Sequence, residues 1–167
     1  MKKIAALAMI IVASSVGGQE QTEEQKFLME RHKKVMMEPA NNRESFVESV
    51  EYLLRRRAGV PFVEDRIIAY RTDKTKLLFW SAALDKYRYQ IVIEDMPDRM
   101  IPELAYQFSE LKFSPFNTSI MIRRIQWIAE FGPRGKAFLP PLESIRDNSK
   151  DTKAAIAAKD AIAKIQK

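Results

Sequence analysis

The chain has 167 residues, enough for one domain with its own core, and 46% hydrophobic with 30% charged residues is a globular balance that excludes wholesale disorder. It contains no cysteine, which excludes a disulfide framework, every thiolate site and a lipid-anchored form of export signal. The formal charge is +6, from 28 basic and 22 acidic residues.

The N-terminus carries Lys2 and Lys3, then the apolar run Ile4 to Ala13, then Ser14, Ser15, Gly17 and Gly18. That charged, apolar, small-residue order is the pattern of a removable signal peptide over residues 1–18. The apolar run is well short of the roughly 20 residues a bilayer span needs. Val16 and Gly18 suit a cut before Gln19, and Ser15 and Gly17 suit one a residue earlier. The expected location is therefore secreted or periplasmic. Loss of Lys2 and Lys3 lowers the formal charge from +6 to +4. A mildly cationic exported protein suits an acidic protein partner or weak contact with an anionic membrane surface; nucleic acid is not an expected partner.

Residues 19–167 read as a single helical domain. From Gln21 to Met37, Phe27, Leu28, Val35 and Met36 recur at roughly helical spacing, and Pro39 ends the segment. Asn41, with Glu44 three residues on, has the form of a capping box. The next helix sets Phe46, Val47, Val50, Leu53 and Leu54 on one face, places Arg55, Arg56 and Arg57 in its last turn, and stops at Gly59 and Pro61. Residues 63–70 and 74–84 are both helix-compatible, the latter burying Leu77, Trp80 and Leu84. Tyr87, Tyr89, Ile91 and Ile93 alternate like a strand, but no second strand of comparable quality exists to pair with them, so helix is expected through this middle segment. Pro97 and Pro102 bracket the start of a helix burying Ile101, Leu104, Phe108 and Leu111; Pro115 and Asn117 break the chain again.

From Asn117 onward the pattern is more regular. The cap-like pairs Asn117-Thr118 and Asp151-Thr152 are 34 residues apart, and the same offset relates Ile122 to Ile156, Ile128 to Ile162, Ala129 to Ala163 and Phe131 to Ile165. Between them, Gly132-Pro133 is a helix stop followed by a helix start, and Ala137, Phe138, Leu142 and Ile145 share a face. Trp127-Ile128-Ala129-Glu130-Phe131-Gly132-Pro133, then Ala137, Pro140-Pro141-Leu142 and Asp147, resembles the short bacterial type of HEAT-like repeat. The match covers residues 117–167. Trp127 and Phe138 stand where that pattern has small residues, and Ile101-Pro102-Glu103-Leu104 is similar to Leu139-Pro140-Pro141-Leu142 further back. The resemblance implies an all-α, right-handed solenoid of helical hairpins with an irregular middle, stabilised by stacking about three units. It also implies a non-catalytic scaffold that binds a protein partner.

The chemistry-bearing residues agree with a non-enzyme. His32 is the only histidine and stands between Arg31 and Lys33 on a charged segment, the setting of a solvated residue. Glu94, Asp95 and Asp98 form the densest acidic cluster, but no calcium-loop spacing surrounds them, and an acidic helix N-terminus accounts for them. After cleavage only Gly59, Gly132 and Gly135 remain, too few for a phosphate-cradling loop. No cofactor or metal is expected. Phe79, Trp80, Tyr87 and Tyr89 are read as core before they are read as a stacking platform. If the first two helices pair, Arg31, Lys34, Arg55, Arg56 and Arg57 form a candidate basic interaction face. Two other readings stay open: a ligand-binding or enzymatic domain with its site in residues 63–115, and a basic peripheral envelope protein. Mass spectrometry of the exported protein should find a new N-terminus near Gln19, whereas an intact Met1 on envelope protein would reject the signal peptide.

Overall fold

A computed structural model of the chain describes residues 22–39, 42–111 and 117–167; the signal-peptide expectation, Asn41 and Pro115 lie outside them. Among the described residues there is no strand, and eight α-helices account for most of the chain: α1 (Glu23–Met37), α2 (Arg43–Leu54), α3 (Val60–Arg71), α4 (Leu77–Gln90), α5 (Ile101–Ser109), α6 (Thr118–Ala129), α7 (Leu139–Asn148) and α8 (Thr152–Ile165). None of these is long and apolar enough to cross a membrane.

The caps explain where the helices begin. Thr22 and Gln25 form a reciprocal capping box at the start of α1, each bond 3.2 Å. At α2 the cap is Asn42, one residue later than the sequence pattern suggested, and its side chain accepts from Ser45 N at 3.1 Å. Asp151 caps α8 through Lys153 N at 2.9 Å and Ala154 N at 3.1 Å. Its side chain also takes a hydrogen bond from Thr118, and these donors hold its carboxyl below the usual range. The starts of α6 and α8 are thereby tied together.

Two glycines are required by geometry. Gly132 has φ 51°, the left-handed region that lets the chain leave α6 before Pro133. A Cβ on Gly59 would lie 2.4 Å from the Leu53 carbonyl oxygen, so only glycine allows the tight passage from α2 to α3. Gly59 and Pro61 therefore open α3 rather than merely ending α2, because Pro61 sits in its first turn, where a missing N–H costs nothing.

Some apolar assignments shift by a helical position. In α1 the buried face is Met29 and Met36, and Phe27 is 69% exposed. In α4, Trp80 and Leu84 are buried as the spacing predicts, but Leu77 is exposed, and Phe79, Ala83 and Tyr87 join the core. The alternating segment is helical to Gln90 and then extended at Ile91 and Val92. Its period of two in sequence does not mark one face, since Tyr87 enters the core and Tyr89 points to solvent.

Packing divides the helices into two groups. α2 lies against α1, α3 and α4, and α3 lies against α4. In the second group α8 lies against both α6 and α7. The seven-residue 3-10 segment Gly132–Phe138 packs on α5 and α8, joining the groups over one continuous core. Cap positions repeat at 34 residues, as do the buried pairs Ile128/Ile162 and Phe131/Ile165. The buried faces of α6 and α8 as a whole align one residue short of that spacing: Met121, Ile125, Ile128 and Ala129 match Ala154, Ala158, Ala161 and Ile162, and Ala163 is exposed where Ala129 is buried. The alanines let α8 fit closely between α6 and α7, where larger side chains would hold it off.

Arg134 closes the join. Its Nε donates to Asp98 at 2.9 Å, one Nη donates to the Ile93 carbonyl at 3.0 Å, and the other donates to the Met96 carbonyl. Ile128→Ala should cost about 2 to 5 kcal/mol because it opens a closed core site, whereas Ile156→Ala, at a side chain 55% exposed, should cost less than about 1 kcal/mol. Chemical denaturation of the two variants checks this, and equal costs would show that the faces are misassigned.

Candidate binding site

Of the five cations of the expected basic face, Arg31 and Lys34 lie on α1, whereas α2 ends at Leu54, so Arg55 caps it and Arg56 and Arg57 follow it instead of filling its last turn. Arg31 and Lys34 are exposed on α1. Arg55, 71% exposed, stands 3.7 Å from Glu51, whose carboxylate also holds Lys86. Arg56 turns back, donating to the Tyr52 carbonyl at 3.0 Å, with its guanidinium 3.4 Å from the Tyr52 ring centroid. Arg57 lines a separate cleft with Leu54, Val60, Ile91 and Asp95. The structure thus brings Arg31 and Arg56 together around His32 and turns Arg57 elsewhere.

His32 itself is a packing residue. Its ring stacks on Tyr52 at 4.0 Å, and Nδ1 lies 3.0 Å from Ser49 Oγ. Ser49 already donates its proton to the Ser45 carbonyl at 2.8 Å, so Nδ1 carries the hydrogen and donates to Ser49. Burial, then Arg31 and Arg56, push the imidazole pKa down, which keeps the ring neutral and uncharged beside the two guanidinium groups.

Of the acidic cluster in the middle, Glu94 and Asp95 are exposed, and Asp98 is tied into the fold. Asp98 is held by Arg134. Nearby, buried Glu64 accepts from Tyr87 Oη at 2.6 Å and from Arg99 at 2.6 Å, and Arg99 reaches Asp65 at 2.7 Å. Burial, followed by the bond to Glu64, pushes the Tyr87 phenol far above its ordinary value. Among the described residues no three of His, Asp and Glu converge as metal ligands. Of the four aromatics considered as a platform, Phe79, Trp80 and Tyr87 lie in the core, and only Tyr89, 77% exposed, is open to a ligand.

Tyr89 leads to a site that the sequence patterns did not single out. The C-terminal end of α4 and one face of α6 enclose a cleft of about 410 Å³ lined by Arg88, Tyr89, Ile120, Arg123, Arg124 and Trp127. On α6 these residues stand at positions i, i+3, i+4 and i+7, which places them on one side of a helix whose opposite side enters the core through Met121, Ile125 and Ile128. The signal was present in the segment Thr118 to Ala129, which has two arginines between exposed apolar positions and no acidic residue.

Arg88 is the unusual member. Its side chain is only 9% exposed, and its nearest acid, Asp85, is 3.6 Å from Nη2, too far for a hydrogen bond. Nε and Nη2 are enclosed and have no hydrogen-bond partner. The guanidinium lies 4.6 Å from the Tyr89 ring centroid and 5.8 Å from that of Trp127. Burial, and after it the charge of Arg124, lower the Arg88 pKa from its ordinary value. A buried cation with unmet donors is costly to the fold.

The sequence matches no family model, no curated protein and no solved structure.

The contrast between two arginines gives a stability test. Arg88→Met removes a buried charge that has two unmet donors and only a loose ion pair to Asp85, and should leave the thermal midpoint unchanged or raise it. Arg134→Met removes three hydrogen bonds that join the helix groups and should cost about 1 to 3 kcal/mol. Thermal unfolding followed by circular dichroism checks both, and a larger loss at Arg88 than at Arg134 would make Arg88 a structural residue.

Proposed function

We propose that this is an exported, non-catalytic helical-repeat scaffold that binds an acidic protein partner, and that the cleft between α4 and α6 is the contact surface. The observation that carries the reading is Arg88, nine-tenths buried, with two donors unmet beside Arg123 and Arg124. Tyr89 and Ile120, exposed on the rim, and Trp127 supply apolar area next to the charge. Aromatic side chains and arginine together are the residues that contribute most at protein interfaces. Export rests on the order of residues 1–18, and the repeat assignment rests on the resemblance over residues 117–167.

A small-ligand domain is a second reading, because Arg88 and Tyr89 belong to the 63–115 segment and the cleft volume falls within the range of small-molecule pockets. Both readings use the same residues. Truncation before α6 does not separate them, since the 3-10 segment after α6 packs on α5 and Arg134 holds residues 93–98. Point changes on the rim are the usable probes.

A photo-crosslinking phenylalanine derivative at Tyr89, in the producing cells, should give a discrete protein adduct. The double change Arg123→Glu and Arg124→Glu should reduce that adduct at least about tenfold, because it turns attraction for an acidic partner into repulsion. An adduct unaffected by charge reversal, or one formed from Phe27 or Leu78 and absent from Tyr89, would reject the cleft as the contact surface.

A further inference from the structure

Arg88, Arg124 and Trp127 line two spaces at once: the outer cleft, and a void of about 10 Å³ behind it bounded by Leu104, Gln107, Phe108, Ile128 and Phe138. They are the wall between the two. The void is nearly all apolar, with Gln107 its one polar member besides the arginines, and Gln107 Nε2 is directed to the Ser81 carbonyl at 3.4 Å and to Asp85 at 3.3 Å. Asp85, 42% exposed and shared with Gln107, forms a loose ion pair with Arg88 at 3.6 Å from Nη2 and makes no hydrogen bond to it.

The two unmet nitrogens of Arg88, Nε and Nη2, lie on a single edge of the guanidinium. That edge is the side-on fork that receives both oxygens of one carboxylate in two parallel N–H···O bonds. Arg124, partly exposed, is the side chain next to it and supplies a second positive charge. Ile120, Trp127 and Tyr89 then stand where the remainder of such a ligand would lie.

We infer that the cleft takes a carboxylate borne on an apolar group, the carboxylate entering the Arg88 fork past Arg124 and the apolar part lying on Trp127, Tyr89 and Ile120. Within the proposed scaffold role, on which this rests, the group is either the free C-terminus of a partner ending in an apolar residue or an acidic side chain beside an apolar one. Reaching the fork requires Arg124 to swing outward, since Nε and Nη2 are closed off from solvent.

The full chain, labelled with ¹⁵N, is titrated with 4-phenylbutyrate, 4-phenylbutanamide and inorganic phosphate while the indole N–H signal of Trp127 and the Nε–H signal of Arg88 are followed. Phenylbutyrate should shift both signals and saturate at millimolar concentration, and the amide should need at least about tenfold more. Arg124→Gln, at a partly exposed position, should weaken phenylbutyrate about tenfold with the spectrum otherwise folded; Arg88→Gln is expected to weaken it further. Acetylated Gly-Gly-Phe with a free C-terminus, set against acetyl-Asp-Phe-amide, then tells the two sources of carboxylate apart. Equal shifts from acid and amide, or phosphate acting at lower concentration than phenylbutyrate, would overturn the inference. No shift up to about 20 mM phenylbutyrate, weaker than any specific site of this type, would do the same. If crosslinking at Tyr89 still depends on Arg123 and Arg124 in that event, the contact surface stands and only its ligand class is withdrawn.

Discussion

The cleft exists because α4 and α6 are held near each other without being packed together. What holds them is Arg134, which reaches from the segment after α6 to two main-chain carbonyls and one carboxylate in the segment that follows α4. The Ile93 carbonyl also accepts from Met96 N at 3.2 Å, and one arginine fork can engage it together with the Met96 carbonyl and the Asp98 carboxylate. Around that join, α5 and the 3-10 segment complete a continuous core. The end of α4 then stands opposite the outer face of α6, and the gap between them is lined rather than filled.

The buried polar groups of this molecule differ in how fully the fold satisfies them. Glu64 is fully engaged, receiving Tyr87 and Arg99 at 2.6 Å each, so its burial is compensated within the fold. Arg88 is compensated less: Nε and Nη2 make no hydrogen bond, and the Asp85 carboxylate stands 3.6 Å from Nη2. Burying a charge with so little pairing costs stability.

His32 illustrates a polar residue that a charged sequence context disguised. Between Arg31 and Lys33 it reads as solvated, yet it is inserted between α1 and α2, stacked on Tyr52 and bonded to Ser49. Its neighbours in sequence point outward because successive helical positions diverge by about 100°. Met29, His32 and Met36, three and four residues apart, face α2.

The sequence by itself determined the helical class, the principal breaks at Gly59, Pro97 and Gly132, and most of the buried positions of α2 and α5. These follow from local chemistry: side-chain caps, glycine and proline geometry, and a 3.6-residue apolar period. Where two apolar stripes competed, as at Phe27 against Met29 or Leu77 against Trp80, the pattern was ambiguous, and the neighbour each helix met decided which was buried. The 34-residue spacing was legible at the caps, but the burial register slipped by one because α8 wedges between two helices and turns its alanines toward both. Of the cleft, Tyr89 and Trp127 were visible as residues but not as neighbours, and Arg88 looked like any charge at the end of a helix. Arg88 and Arg124 are 36 positions apart in the chain, and local pattern carries no information about which side chains at that separation will meet. Only the packing of α5 and the Arg134 join brings them together, because proximity at that range is a property of the folded core and not of any segment within it.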